Sequence, residues 1–249
     1  MFTDRKGKQM FVSSLGFTVL FTICMFIAQP AVYSQQLQSI NAAFSRTVEE
    51  GGATSHSEGR IYYQSEGKLY VRVQSPVNQW LIHSTKNLLI YYPEKNKGYR
   101  YNNVRSNNVP FFDAFISHYK EDFGLSQLGF SMVGDTVRND TLFTRWEHQG
   151  KGKKKAGDFI LGYHEKKIVY AEAKTRSGET LRKTRFGNHF QYEARFYPKD
   201  IELRTYRDNG SLESKSEIQY RDVRFNQELP ETVKDFSVPE DAKIEEVNL

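Results

Sequence analysis

From residue 59 to residue 225, apolar and polar residues alternate along most of the chain with a period of two. Leu69, Val71 and Val73, for example, alternate with more polar neighbours. Tyr, Phe, Val and Ile are common in these segments and favour the pleated, half-buried surface of a β-sheet. The segments with this pattern are 59–64, 68–73, 88–92, 99–101, 142–148, 159–164, 168–174, 181–186, 190–196, 201–206 and 212–220. The sequence therefore predicts a mainly β protein of short antiparallel strands, arranged as a large curved sheet, a sandwich or a barrel.

Short turns are expected to join neighbouring strands as hairpins. Residues 65–67 separate the first two segments, and residues 94–98 follow Pro93 and return the chain. The strongest turn signal is Asn209-Gly210, because both residues tolerate a positive φ. We therefore predict a hairpin across residues 207–211.

One segment, 109–123, departs from the strand pattern. Its apolar residues recur with the 3.6-residue period of a helix, and Pro110 suits the first helical turn. These apolar residues are Phe111, Phe112, Phe115, Ile116, Tyr119 and Phe123. The segment is predicted to be a short amphipathic helix that covers an apolar sheet face. It would either complete the core or act as a movable lid over a ligand cavity.

The N-terminal residues have the pattern of a signal peptide. Basic residues at positions 5, 6 and 8 precede an apolar stretch from Phe11 to about Ala28, and small or neutral residues lead to Ser34. The alternative is an uncleaved anchor, since about eighteen apolar-leaning residues can just span a hydrocarbon core. We predict that residues 1–34 are a signal peptide cleaved near Ser34, and that residues 35–249 form a single periplasmic domain.

Composition narrows the chemistry that this domain can perform. Cys24 is the only cysteine and lies within the predicted leader, so disulfides and cysteine-based sites are excluded from the predicted domain. The formal net charge of the whole chain is +5, with both signs interspersed. This balance does not indicate nucleic-acid binding, which would require a concentrated basic stripe with stacking aromatic residues.

Candidate catalytic and metal-binding groups are scattered. The six histidines occur singly and without metal-ligand spacing: His56, His83, His118, His148, His164 and His189. No G-x-S-x-G motif supports a local nucleophile, although distant residues can still assemble a triad. The lysine-rich segment 150–155 lacks phosphate-loop spacing and is expected to be a solvated hairpin tip, or else a patch for acidic lipid or an acidic partner. The sequence therefore predicts no cofactor, no metal site and no enzyme.

Four segments, in their order along the chain, resemble the periplasmic lipoprotein carrier family LolA and its outer-membrane relative LolB. Segment 40–48 is similar to the family's first strand, and segment 58–76 to its G-x-L-x-V-x-x-x-P hairpin. Segment 86–93 is similar to the family's strand that ends in Y-x-P, and segment 223–239 to its last strand and F-x-V-P ending.

This resemblance implies an unclosed, strongly bent antiparallel sheet, a half-barrel, whose apolar concave face is covered by helix and shelters the acyl chains of a lipoprotein. It also implies an inner-membrane transporter as donor and an outer-membrane acceptor. We expect a monomer that binds lipoprotein acyl chains or other lipids and no nucleic acid. Which strand parity faces the cavity stays open. The candidate cavity residues are Leu69, Val71, Leu89, Tyr91, Phe111, Phe112, Phe115, Ile116, Trp146 and Ile160.

The sequence departs from the family pattern at two places. Ser75 precedes Pro76 where the family has an arginine that tethers its lid, and the first strand follows the predicted cleavage site closely, which leaves little room for an N-terminal lid helix. The cavity would then be more open, or the cargo different. Two other functions stay compatible: a non-catalytic envelope scaffold or adhesion protein with a filled core, and a secreted hydrolase of lipid or glycan.

Overall fold

The computed structural model describes residues 37–65, 68–84, 87–102, 115, 117–118, 120–149 and 157–248. These residues fall within one compact unit, Gln36–Leu249. The predicted signal peptide at 1–34 and the lysine-rich turn at 150–155 lie outside the described residues. The domain boundary at Ser34 stays a prediction.

The described residues form one sheet of 14 strands. In chain order these are β1 (Ser39–Glu50), β2 (Ala53–Gln64), β3 (Lys68–Ser75), β4 (Gln79–His83), β5 (Asn87–Tyr92), β6 (Lys97–Asn102), β7 (Phe130–Arg138), β8 (Thr141–His148), β9 (Phe159–His164), β10 (Lys167–Lys174), β11 (Thr180–Tyr192), β12 (Arg195–Tyr206), β13 (Leu212–Phe225) and β14 (Lys243–Asn248).

The strand order shows how the sheet is assembled. Successive strands pair antiparallel from β1 to β6 and from β7 to β13, and β1 pairs with β13 to join the two runs. The last strand, β14, pairs parallel with β6 at one edge, while β7 forms the other edge. In the part of the chain that the structure describes, β7 and β14 do not pair, so the sheet is unclosed. The predicted fold class, a large bent antiparallel sheet, is confirmed.

Most predicted strands are present, but several are longer than predicted: β2 begins at Ala53, and β13 continues to Phe225. Segments 181–186 and 190–196 are not separate strands as predicted, because β11 continues to Tyr192 and the turn follows at Glu193. Asn188 accommodates a φ of 51° within the strand, and the pairing with β12 keeps the same register on both sides of it. Strands β4, β7 and β14 were not predicted. The hairpin at Asn209-Gly210 is confirmed, with Gly210 at φ 78°.

The predicted helix is only partly described. Phe115 and Ser117 have helical backbone conformation. The predicted end at Phe123 is wrong, because Lys120 is extended and a 3-10 turn follows at Glu121–Gly124. The carboxylate of Asp122 accepts hydrogen bonds from the backbone N–H groups of Gly124 and Ser126, a local alternative to helical hydrogen bonding. No helix among the described residues is both long and apolar enough to cross a membrane.

The two faces of the sheet are covered differently. We call the face on which Phe115 packs the concave face, and the opposite one the convex face. After β13 the chain crosses the convex side of strands β2–β5, and a short helix, α1 (Glu231–Lys234), lies in this crossing. Val233 and Phe236 pack there against Trp80 and Tyr91. We call residues 229–242 the C-terminal strap.

Candidate functional site

The centre of the concave face is built from alternate residues of neighbouring strands. Strand register places Val71 opposite Ile61, and Ile61 opposite Ala42, so these three side chains form one row across β3, β2 and β1. All three are fully buried. The period of two predicted from the sequence thus produces a continuous apolar surface on this side.

An aromatic cluster joins the helical segment to this surface. Phe115 is completely buried, and its ring centroid lies 4.6 Å from that of Tyr220 and 5.8 Å from that of Tyr197. Tyr197 and Tyr220 belong to β12 and β13, near the middle of the sheet. Phe115 therefore holds this part of the predicted helix against the middle of the sheet.

Half-buried aromatic residues extend the concave surface towards β8 and β9. Trp146 lies opposite Phe159 in the pairing of these strands, and both pack against the concave cluster. The indole Nε1 of Trp146 donates a hydrogen bond to Thr144 Oγ1 at 2.8 Å, so its polar group is satisfied while its ring stays partly exposed. Tyr163 of β9 also packs against the concave cluster. The strands of these residues were predicted, but nothing in the alternation alone distinguished their side of the sheet.

The structure brings together four of the candidate cavity residues: Leu69, Val71, Phe115 and Trp146 all belong to the concave cluster. Phe111, Phe112 and Ile116 lie outside the described residues.

The other three candidates lie on the convex face. Tyr91 lies opposite Trp80 and packs under the C-terminal strap. Leu89 lies opposite Ile82, a neighbour of the same convex cluster. Ile160 precedes Leu161, which is on the concave side, so the side chain of Ile160 points to the convex side.

His83 and His189 lie close to the apolar cluster. His83 is 6% exposed and lies between Leu69 and Leu88 in the strand pairing. Burial lowers the pKa of His83, because the apolar surroundings disfavour the charged imidazole. Burial also lowers the pKa of His189, whose Nε2 is 2.9 Å from the backbone oxygen of Ile168. Both rings are therefore uncharged near neutral pH.

The convex face of β10–β13 carries charged side chains. Glu202 of β12 forms ion pairs with Arg185 on the neighbouring strand β11 and with Arg204 on its own strand. On β13, Lys215 forms an ion pair with Glu217. The buried carboxylate of Glu172 accepts hydrogen bonds from Tyr170 at 2.9 Å and from Thr180 at 2.6 Å. Burial, and next the hydrogen bond to Glu172, raise the pKa of Tyr170.

The arrangement brings apolar and aromatic side chains from both halves of the sheet together on its concave side. One sheet carries an apolar and aromatic surface on its concave side. Its convex side carries ion pairs on β11–β13 and a second apolar cluster under the C-terminal strap on β2–β5. Among the described residues, no group of three or more His, Cys, Asp or Glu side chains is placed to hold a metal ion.

Comparison with known proteins shows likeness in structure but not in sequence. No protein-family model matches the chain, and no curated protein matches it. Among solved structures, a domain from Vibrio parahaemolyticus named as outer membrane lipoprotein-sorting has a TM-score of 0.53 at 14% identity, covering 80% of this chain and 89% of that domain. A LolA superfamily protein from Nitrosomonas europaea has a TM-score of 0.52 at 13% identity, covering 79% of this chain and 90% of that one.

A DUF1329 family protein from Desulfovibrio piger is similar to the same extent, with a TM-score of 0.52 at 11% identity, covering 80% of this chain and 90% of that one. These likenesses define the class of this protein by its fold, which is a LolA-like half-barrel. The resemblance found in the sequence is thereby confirmed at the level of the fold.

Proposed function

We propose that this protein is a periplasmic carrier without catalytic activity, which shelters the acyl chains of lipoproteins or other lipids against its concave face. The observation that carries this proposal is the continuous apolar and aromatic surface on the concave side of the sheet, behind which the convex side of β11–β13 carries ion pairs. Each methylene kept from water contributes about 0.8 kcal/mol, so a surface of aromatic and aliphatic side chains can hold an acyl chain.

Movement of the cover supplies a route for loading and release. The segment that carries Phe115 contacts the sheet through aromatic rings, and its departure would uncover Tyr197 and Tyr220. In this proposal the carrier receives its lipid from an inner-membrane transporter and delivers it to an acceptor at the outer membrane. The LolA-like fold and the signal-peptide pattern support these two partners and the periplasmic location.

The alternative function is an envelope scaffold or adhesion protein, and one observation favours it. Phe115, Tyr197 and Tyr220 are almost completely buried, as in a filled core. The two functions differ in what the purified protein contains and in whether it takes up lipid.

Mass spectrometry of organic extracts distinguishes the two functions. The protein should be exported with its own leader, purified from the periplasm and extracted with organic solvent. A carrier is expected to release about one acylated molecule per chain, and the delipidated protein should bind a fluorescent fatty acyl probe. Absence of both lipid and probe binding would reject the carrier and favour the scaffold.

A further inference from the structure

Arg46 is a charged residue on the concave face of β1. It lies on the same side of the strand as Phe44 and Val48, and it is opposite Ser57 on β2 and Ile218 on β13. Its side chain is half-buried, whereas the apolar row through Phe44 is buried. A guanidinium in this position is costly to desolvate and is therefore kept only where it has polar or charged partners.

The strand register places Arg46 at a boundary between two kinds of surface. On one side, Phe44 lies opposite Gly59 and Tyr220, and Tyr220 carries the ring of Phe115. This is the apolar row that the helical segment covers.

On the other side, Val48 lies opposite Ser55 and Ser216, and Glu50 lies opposite Ser214. Exposure increases in this direction, from the buried Ser216 to the exposed Ser55 and Glu50. Beyond Arg46 the concave face thus carries serine hydroxyl groups beside the apolar Val48 and Leu203, and its exposure increases towards the tip of the β1–β2 hairpin.

The guanidinium is oriented by the sheet. Arg46 Nε donates a hydrogen bond to Ser216 Oγ at 2.9 Å, and Ser216 is only 3% exposed. Burial lowers the pKa of Arg46, and electrostatic interactions with Tyr220 and Glu50 act in the opposite direction. Arginine stays protonated in proteins, so the face carries a fixed positive charge at this boundary.

We propose that Arg46 binds the anionic group, a carboxylate or a phosphate, of an acyl lipid whose hydrocarbon chain lies along the apolar row of Phe44 and Tyr220. Guanidinium groups bind both anions through paired, charge-assisted hydrogen bonds. The serines beside Arg46 add hydroxyl donors of the kind that phosphate oxygens accept. This inference rests on the proposed carrier function and adds a preference for anionic lipids.

The test compares probes that differ only in charge. A fluorescent fatty acid and its methyl ester have the same hydrocarbon chain, with and without a carboxylate. Lysophosphatidic acid and monoacylglycerol, used as unlabelled competitors, form the corresponding pair with and without a phosphate. At neutral pH the wild-type protein is expected to bind each anionic member about tenfold tighter or more, since hydrogen bonds to charged groups contribute more than neutral ones. This preference should weaken as salt is raised.

Substitutions of Arg46 test whether this residue causes the preference for the anionic probes. R46Q should lose it while binding the ester as wild type does, and R46K should keep part of it because lysine keeps the charge without the planar fork. The matched control is R204Q, which removes the same charge from the convex side of β12 and should keep the full preference. Thermal unfolding followed by circular dichroism checks that each variant is folded.

The outcomes separate this inference from the function on which it rests. Equal binding of acid and ester by the wild-type protein, or an unchanged preference in R46Q, overturns the inference and leaves the carrier standing. Binding of neither probe overturns both. A third outcome is that inorganic phosphate by itself displaces the fluorescent fatty acid but not its methyl ester. This result would show that Arg46 binds a free anion, and it would overturn the proposal that Arg46 binds a lipid. If R46Q does not fold, the preference of the wild-type protein for the anionic probes and the salt dependence of that preference decide whether the inference stands.

Discussion

Phe115 packs its ring on Tyr220 with the ring centroids 4.6 Å apart, and this contact fixes the helical segment to the middle of the concave face. Tyr220 lies opposite Phe44 in the sheet, so the ring of Phe115 continues the apolar row of β1 and β13. The contact therefore couples the stability of the cover to access to the concave face.

Replacing Phe115 with alanine should loosen this cover. We expect F115A to lower the free energy of unfolding by about 3 kcal/mol, since truncating a buried phenylalanine leaves a cavity. Because the cover is held less tightly, a bound fluorescent acyl probe should also dissociate faster. Urea unfolding and stopped-flow displacement measure the two effects.

The control for this variant is F143A. Phe143 contacts Tyr170, whose neighbour Ala171 is on the concave side, so this ring lies on the convex side of the sheet. F143A is expected to leave the probe's dissociation rate unchanged. A wild-type dissociation rate in F115A would argue that the segment is a fixed part of the core.

Gly59 of β2 lies opposite Phe44 of β1, at a position with no room for a side chain. A Cβ at this position would lie 2.1 Å from the backbone oxygen of Arg72 and 2.9 Å from Phe44 Cε1. We expect G59A to lower the free energy of unfolding by about 3 kcal/mol, because the backbone of β3 cannot move away without losing its pairing.

G187A provides the matched comparison for Gly59. The nearest heavy atom to a Cβ at Gly187 is Asp200 Cβ at 3.9 Å, an ordinary contact. This variant should be as stable as the wild type in the same urea titration. Equal stability of G59A and G187A would show that the close approach at β2 is not a constraint on the fold.

Phe236 holds the C-terminal strap on the convex face through Trp80. The two rings are stacked with centroids 4.3 Å apart. In a W146F background, F236A should shift the fluorescence of Trp80 to longer wavelength and lower the free energy of unfolding by about 2 kcal/mol, because an aromatic contact and apolar burial are lost.

Acyl binding should not change in F236A, since the strap lies on the side opposite the concave cluster. F236Y is the conservative control and should keep the wild-type emission. Loss of probe binding in F236A would show that the strap also shapes the concave face.

The burial of His83 predicts a loss of stability in acid. The pKa of His83 is lowered in the folded state, so the unfolded chain takes up a proton at a pH where the folded protein does not. The contribution of His83 to the free energy of unfolding should therefore be fully present above about pH 6.5. It should be lost as the pH drops below that value. His189 acts in the same direction.

Guanidinium unfolding at pH 7 and pH 5 measures this effect. H83L should show a smaller decrease between the two pH values than the wild type. An equal decrease in H83L would remove His83 as its source.

Several features of this protein follow from local sequence patterns. The alternation around Leu69, Val71 and Val73 predicted β3, and Asn209-Gly210 predicted the turn between β12 and β13. These features depend on the pleat of a strand and on the φ angles that single residues tolerate, so they are encoded within a few residues. The bent, unclosed form of the sheet came from the ordered resemblance of four segments to a known family.

The tertiary structure decided which side of each strand faces the concave surface. In β5, Leu88 and Ile90 alternate with Leu89 and Tyr91, so both parities are apolar and the period alone selects neither. Leu89 and Tyr91 turn to the convex side because the C-terminal strap, more than a hundred residues later in the chain, covers that side with Val233 and Phe236. The position of Arg46 at the end of an apolar row likewise depends on the register of β1 against β2 and β13. Register and coverage arise from contacts between segments distant in sequence, and for that reason they are properties of the folded chain.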